Sequence, residues 1–278
     1  MLFGGHDDFS VPTDWTIKKP NMGSGAFNQL YQVINAITEE RITIKEEISF
    51  VGPFCKDHTE GNLVPISNIL NLEAMNEKYN FKFKDCLLYE YNKVLYYVPN
   101  GIMLTYWSKP EKFAQNCKCL IFSEILKDVA KNISIKRNIK DKIFNVVHIR
   151  FADNIYQDFL VTHNIISEGE EAVIHCRKAI YDNCEKDIPL FILVHDKQHP
   201  FIEELKKDYQ VEFITISEYD EYLNEDLKNG RDIYAICDVL TTYNLKVKNF
   251  IYQENEKQTS SFSVFLKNTL NYEKSFNY

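Results

Sequence analysis

No apolar run in this 278-residue chain approaches the ~20 residues a helix needs to cross a bilayer, so no membrane span is expected. The opening residues, Met1 to Asp8, lack the basic start and apolar core of an export signal, which points to a cytoplasmic protein. No basic cluster stands out, and 32 basic against 40 acidic residues leave a formal charge of −8. Nucleic acid is therefore not expected as the main partner. An anionic small ligand is still allowed, because it needs only one local cationic patch. The seven cysteines, at 55, 86, 117, 119, 176, 184 and 237, contain no CxxC pair. Cys117-Lys118-Cys119 is too close and too isolated for a zinc site. This odd, scattered set reads as reduced, mostly buried thiols. A GxGxxG after a strand and the P-loop GxxxxGK[ST] are both missing, which argues against dinucleotide dehydrogenases and P-loop kinases. Internal repeats and low-complexity stretches are absent too.

What remains is the profile of a soluble folded protein. The chain is 45% hydrophobic and 26% charged, enough for a sizeable core, and its length accommodates two ordinary domains or one large one. The 17 Tyr and 19 Phe serve as half-buried core and, for some tyrosines, as the lining of wet clefts.

Residues 1–20 show no period and carry Pro12 and Pro20. Then Gly23-Ser24-Gly25 breaks the chain ahead of Phe27, Leu30, Tyr31, Ile34 and Ile37, which follow helical spacing. A glycine-rich loop feeding a helix leaves backbone N–H groups for an anion, although the same pattern also starts ordinary helices. Residues 41–52 alternate as a strand, and the stretch from Phe54 to Pro65 is polar and reads as a solvated connection or a cleft-lining loop. Residues 86–98 form a hairpin pattern around Asn92-Lys93. The spacing of Phe113, Cys117, Leu120, Ile121, Ile125 and Val129 predicts one helix over 111–131. The basic, polar segment from Lys131 to Lys142 marks a boundary between a domain over 1–140 and another over 141–278.

The second half alternates strands and helices. Strands are expected at 143–149, 190–195, 211–216 and 250–252, and helices at about 168–184, 200–209, 232–243 and 261–270. Ser167 with Glu170 is a capping-box start, and Pro200 suits a first helical turn. That alternation implies parallel βαβ units, an α/β fold with a Rossmann-like sheet.

The first of these strands ends in His148-Ile149-Arg150-Phe151-Ala152-Asp153. Ligands of open α/β sheets bind at that edge, where a guanidinium is suited to hold a diphosphate through paired N–H···O bonds. By itself the motif fits a surface Arg150–Asp153 pair equally well. A third feature, Thr259-Ser260-Ser261-Phe262-Ser263, opens the last helix with hydroxyls and amides suited to phosphate, or with no more than an N-cap.

In their order and spacing these landmarks resemble the fucosyltransferase superfamily, which includes the α-1,2-, α-1,6- and protein O-fucosyltransferases. The resemblance rests on three matches: the Gly-rich run Gly23 to Leu30 ending in Asn28-Gln29-Leu30, the His148-x-Arg150-x-x-Asp153 strand end, and Ser260-Ser261-Phe262-Ser263 at a helix start. Asp232-Ile233 fits the helix that usually precedes the last motif. The resemblance implies a GT-B fold, two Rossmann-like domains facing a cleft, with GDP-fucose held mainly by the C-terminal one. It implies an inverting, metal-independent transfer of the sugar to a hydroxyl of an oligosaccharide or glycoprotein acceptor. No resident cofactor is implied, and no Asp-x-Asp metal motif is present. Carried over by motif, Arg150 stabilises the leaving diphosphate and His148 contacts the nucleoside, with Asp153 completing the motif. Asp232, or else Asp238, reads the guanine edge. Ser260, Ser261, the Phe262 amide and Ser263 lie at the diphosphate. Gly23, Gly25 and Asn28 face the phosphate–sugar side. The departures are Ala152 for the family's glycine, Phe151 for a frequent second arginine, and Phe27 for a glycine before Asn-Gln. The Asp232-to-Ser260 gap is also longer than usual. These departures put the donor sugar in question before the enzyme class, and a UDP-pentose or another deoxyhexose donor remains open. Asp57, His58, Glu60, His6, Asp7 and Asp8 are the candidates for general base. A non-catalytic carbohydrate- or nucleotide-binding protein on the same scaffold is the reading from another class.

Overall fold

A computed structural model describes residues 26–38, 49–51, 54–57, 62–80, 83–85, 110–150, 169–253 and 260–278. The fold is mixed α/β, and the chain forms two compact units. One comprises Met1–Val129 with Asp220–Cys237, the other Ala130–Tyr219 with Asp238–Tyr278. The first unit therefore takes back a segment that the linear boundary at 140/141 assigns to the second. No described helix is long and apolar enough to cross a membrane.

In the first unit, α1 (Ala26–Thr38) buries Phe27, Leu30, Tyr31 and Ile34, the stripe expected from helical spacing. Tyr31 packs edge-on against Phe113 of a later helix, with ring centroids 4.9 Å apart. Strand β1 (Ser49–Val51) is the described part of the strand expected over 41–52, and it pairs in parallel with β4 (Phe83–Asp85). The polar stretch from Phe54 is more ordered than a connection. It contains β2 (Phe54–Asp57) and β3 (Asn62–Val64), paired antiparallel, with Phe54 and Cys55 buried at its start. Helix α2 (Leu72–Tyr79), which the sequence pattern does not signal, is capped by Asn71, whose side chain accepts from the Ala74 amide, and ends at Asn80 in the left-handed conformation.

The single helix expected over 111–131 is two, α3 (Pro110–Cys117) and α4 (Glu124–Lys136). The break is a tertiary effect. Residues 121–123 pair with 68–71 instead of continuing the helix: the Asn71 amide donates to Ile121 O (2.7 Å), the Ser123 amide to Ile69 O (2.9 Å) and Ser123 Oγ to Asn68 O (2.7 Å). Those bonds satisfy polar groups that a continuous helix would have paired internally. The hairpin expected over 86–98 lies outside the described residues.

The second unit is built on a five-stranded sheet. Its strands are β5 (Ile143–Ile149), β6 (Leu190–Val194), β7 (Val211–Glu212), β8 (Lys246–Tyr252) and β9 (Tyr272–Asn277). Their spatial order is β7-β6-β5-β8-β9, and every pairing is parallel. The first strand in sequence is central, the next two are added on one side, and the chain then crosses to the other. Between β5 and β8 lies the switch point where sheets of this kind form a crevice.

Central β5 and β6 are buried along nearly their whole length, as strands covered on both faces must be. On one face Val147, Ile149, Ile192, Val194 and Ile251 pack with Cys176 and Ile180 of α5 (Gly169–Asn183) and Ile202 of α6 (Pro200–Leu205). Pro200 does occupy the first turn, where the His199 ring nitrogen accepts from the Phe201 amide at 3.2 Å. A buried amide pair fixes the β5–β8 seam. Asn249 Nδ2 donates to Asn145 Oδ1 (3.0 Å) and to Asn183 O (2.8 Å), beside the register irregularity between Phe144 and Val146.

Two expectations change here, and one strand is new. The strand expected over 211–216 stops at Glu212 and gives way to α7 (Ile216–Asp220), where Glu218 accepts from the Thr215 amide and hydroxyl. The strand expected over 250–252 runs from Lys246, because its earlier residues pair with β5. Strand β9 is polar and alternates only weakly, as an edge strand with one open side can. The second unit is completed by the later part of α8 (Arg231–Tyr243) and by α9 (Ser261–Thr269). The buried thiols agree with the sequence reading: Cys55, Cys117, Cys176, Cys184 and Cys237 are buried and outside any disulfide, and desolvation pushes Cys117, Cys176 and Cys184 above the ordinary thiol range.

Ile192→Ala, at a 1% exposed position in the middle of β6, is expected to destabilise the protein by about 2–5 kcal/mol. Urea unfolding should show this as a lower midpoint at unchanged slope.

Candidate functional site

The residues singled out in sequence gather in two places, one in each unit. The larger group lies at the carboxyl end of β5, beside the switch point. Parallel pairing of β5 with β6 runs to Ile149 opposite Val194, whereas pairing with β8 ends at Val147 opposite Ile251. The last residues of β5 thus leave the ladder on the β8 side, where His148 and Arg150 emerge.

His148 is buried and held by the helix that follows β8. Its Nδ1 is 2.7 Å from Ser263 Oγ, with the direction of donation set by the imidazole tautomer. Its ring stacks on Phe262, with centroids 4.4 Å apart and planes at 27°. These two contacts leave the imidazole little rotational freedom and tie the end of β5 to the start of α9. Ser260 is the N-cap of α9, and its hydroxyl accepts from the Ser263 amide at 3.4 Å. Ser261 and Phe262 are half-buried at the first turn, and Gln253 is buried directly after β8. Of the four-residue motif, then, Ser260 and Ser263 spend their hydroxyls within the protein, one on the helix end and one on His148. The dipole at this helix start favours an anion.

Arg150 is half-buried immediately after β5. Its backbone amide donates to the Tyr278 hydroxyl (3.3 Å), and that hydroxyl donates to the His148 carbonyl (2.8 Å). Asp153 lies outside the described residues. The sheet edge thus carries a strand-end arginine beside a fixed imidazole and a helix start, residue types suited to binding a diphosphate. No family model, curated protein or solved structure matches the chain.

The second group is at the start of α1. Asp232, in the first turn of α8, is buried, and its Oδ1 accepts from the Ala26 amide at 2.7 Å. A carboxylate there satisfies one orphan amide of α1 and complements the dipole of that helix end. Gln29 grips β2 at two points: its Nε2 donates to Cys55 O (3.1 Å) and its Oε1 accepts from Cys55 N (2.8 Å), so the side-chain amide imitates a neighbouring strand. Asn28 lies between these anchors in the first turn of α1, with its side chain outside the described set, as are Gly23 and Gly25. Of the candidate bases, Asp57 ends β2, where its backbone oxygen accepts from Cys55 Sγ (3.0 Å). His58, Glu60, His6, Asp7 and Asp8 are outside the described residues.

Asp238, the alternative base-reading carboxylate, accepts from the Tyr219 hydroxyl at 2.6 Å. Desolvation raises its pKa, against the opposing effects of Lys197 and of that hydroxyl. Sequence reasoning passed over Gln29 as a structural bracket, and Tyr278 and Gln253 altogether. A glutamine or tyrosine outside any motif carries no signal until its partner strand is known.

Two outcomes follow for the acidic pair. Asp232→Ala, which strands a buried amide, should cost about 1–3 kcal/mol in equilibrium unfolding. Asp232→Asn, which keeps an acceptor oxygen, should cost less. For Asp238 the folded state favours the protonated carboxyl, so its contribution to stability is greatest below the ordinary carboxylate pKa. That contribution is lost as pH rises through the raised folded value. Asp238→Asn should flatten the fall in stability with rising acid-range pH, measured as unfolding midpoint against pH.

Proposed function

We propose that this chain is a glycosyltransferase of the GT-B class that binds a nucleoside-diphosphate sugar and transfers the sugar to a glycan hydroxyl. GDP-fucose is the favoured donor. The observation that carries the reading is the junction of His148 with Ser263 and Phe262 at the switch point of a parallel sheet. Two motifs that each resemble fucosyltransferase landmarks meet there in direct contact, through residues 115 positions apart in sequence. The crevice they share is the place where parallel sheets of this topology bind their ligands.

On this reading Arg150 binds the β-phosphate and stabilises the negative charge that gathers on the departing diphosphate. His148, held by Ser263 and Phe262, presents its remaining edge to the nucleoside. The first-turn amides around Ser261 and Phe262 meet the diphosphate, and Asn28 is the polar side chain of α1 assigned to the sugar–phosphate side. Inversion requires an acceptor hydroxyl to attack the anomeric carbon from the face opposite the diphosphate as the sugar–oxygen bond breaks. The hydroxyl proton then passes to a base drawn from the acidic and histidine candidates named above. Asp232, one of whose oxygens accepts from the Ala26 amide, is the expected reader of the guanine edge, and Asp238 is the alternative. The departures at Phe27, Phe151 and Ala152 keep another nucleotide sugar, such as a UDP-pentose, open as the donor on the same site.

GDP or GDP-fucose at a hundredfold excess over its dissociation constant should stabilise the protein by about 2.7 kcal/mol, a rise of several degrees in Tm. UDP should give little, and a shift with UDP alone would replace the donor. Arg150→Ala should abolish transfer while leaving the unfolding midpoint near that of wild type. Undiminished turnover would remove Arg150 from the mechanism.

A further inference from the structure

We infer that the Tyr278 hydroxyl is a positioning group for Arg150, holding the backbone from which the guanidinium is presented to a diphosphate. This rests on the diphosphate reading of Arg150 and adds a residue that none of the motifs contains. In a parallel ladder a residue on the neighbouring strand takes up the carbonyl before, and the amide after, the residue it faces. Beyond Val147 opposite Ile251 that partner is missing on the β8 side of β5, while the β6 side continues to Ile149. The Tyr278 hydroxyl fills the missing position: it donates to the His148 carbonyl (2.8 Å) and accepts from the Arg150 amide (3.3 Å), the two groups flanking Ile149. One hydroxyl thus stands in for a peptide unit and extends the ladder to the residue that carries the cation.

The tyrosine is itself well fixed. Its amide donates to Tyr252 O at 3.1 Å, continuing the β8–β9 pairing. Its ring packs against the apolar cluster between the sheet and α5 and α6, and its hydroxyl also meets the Cys176 thiol. Strand alternation puts His148 on the sheet face opposite Val147 and Ile149. The end of β5 is therefore gripped on one face through the His148 side chain by α9, and from the other through its backbone by Tyr278. Without the hydroxyl, the His148 carbonyl and the Arg150 amide both lose this bond, and the hold on the peptide preceding Arg150 is weakened.

The test uses the full chain and two probes, GDP and inorganic diphosphate, titrated by calorimetry into wild type, Tyr278→Phe, Arg150→Ala and the double variant. Phenylalanine keeps the ring packing and the backbone bond to Tyr252. Tyr278→Phe should weaken both probes on the order of tenfold, as misplacement of a binding group does. It should add nothing in the Arg150→Ala background. Wild-type affinity in Tyr278→Phe, or the same loss with and without Arg150, overturns the inference while leaving the diphosphate reading intact. A wild-type chain that takes up neither probe, or an Arg150→Ala chain that binds as wild type does, overturns that reading and the inference with it. A measurement needing no variant stands beside these. In wild-type protein the Arg150 amide should exchange with deuterium as slowly as ladder amides of β5, and fast exchange overturns the clamp.

Discussion

Burial of β5 on both faces is the constraint on which the second unit depends. A central parallel strand has no solvated face, so its side chains must be apolar or internally paired from one end to the other. Residues 144–149 are all buried, and the polar ones among them are accounted for: Asn145 bonds Asn249, and His148 meets Ser263. Charge can appear only where the strand runs out, and Arg150 appears there. The same constraint explains why the neighbouring strands form around it. β6 supplies an uninterrupted apolar run, and β8 matches its amide at Asn249 to the one at Asn145.

The strand end is then made rigid by groups from far along the chain. Ser263 and Phe262 arrive from α9, and Tyr278 from beyond β9. In the proposed glycosyl transfer, a cation at that position would gain from being fixed beforehand, because a preorganised charge needs no rearrangement during the reaction. The hydroxyls of Ser260 and Ser263 are consumed in this work, one on the cap and one on the imidazole.

The first unit follows a related logic. Helix α1 is held at its beginning by Asp232 and along its first turns by Gln29, which closes on the backbone of β2. The segment 220–237 belongs to this unit by such contacts. Lys56 Nζ donates to Asp226 O and Lys228 O, each at 2.9 Å, and a side chain at Gly230 would press within 3.0 Å of Lys56 O. A boundary drawn in linear sequence does not detect a returning segment of this kind, because its tie to the first unit consists of long-range hydrogen bonds.

Local pattern was enough to determine the α/β class, the buried strands at β5 and β6, the apolar stripe of α1 and the helix starts at Pro200 and Ser261. In each of these the side-chain period and the end-capping residues agree with the final packing, so a window of a dozen residues contains the physical cause. The same short-range reading found His148, Arg150 and Ser260 to Ser263 as separate motifs. It could not bring them together, since the contact between His148 and Ser263 exists only once β8 has paired with β5. Tertiary structure alone decided the break between α3 and α4, the strands hidden in the polar run after Phe54, the polar edge strand β9 and the two-sided grip on the end of β5. Apart from the pairing of β2 with nearby β3, these are set by partners dozens to more than a hundred residues away, whose hydrogen bonds outweigh the preferences of the local sequence.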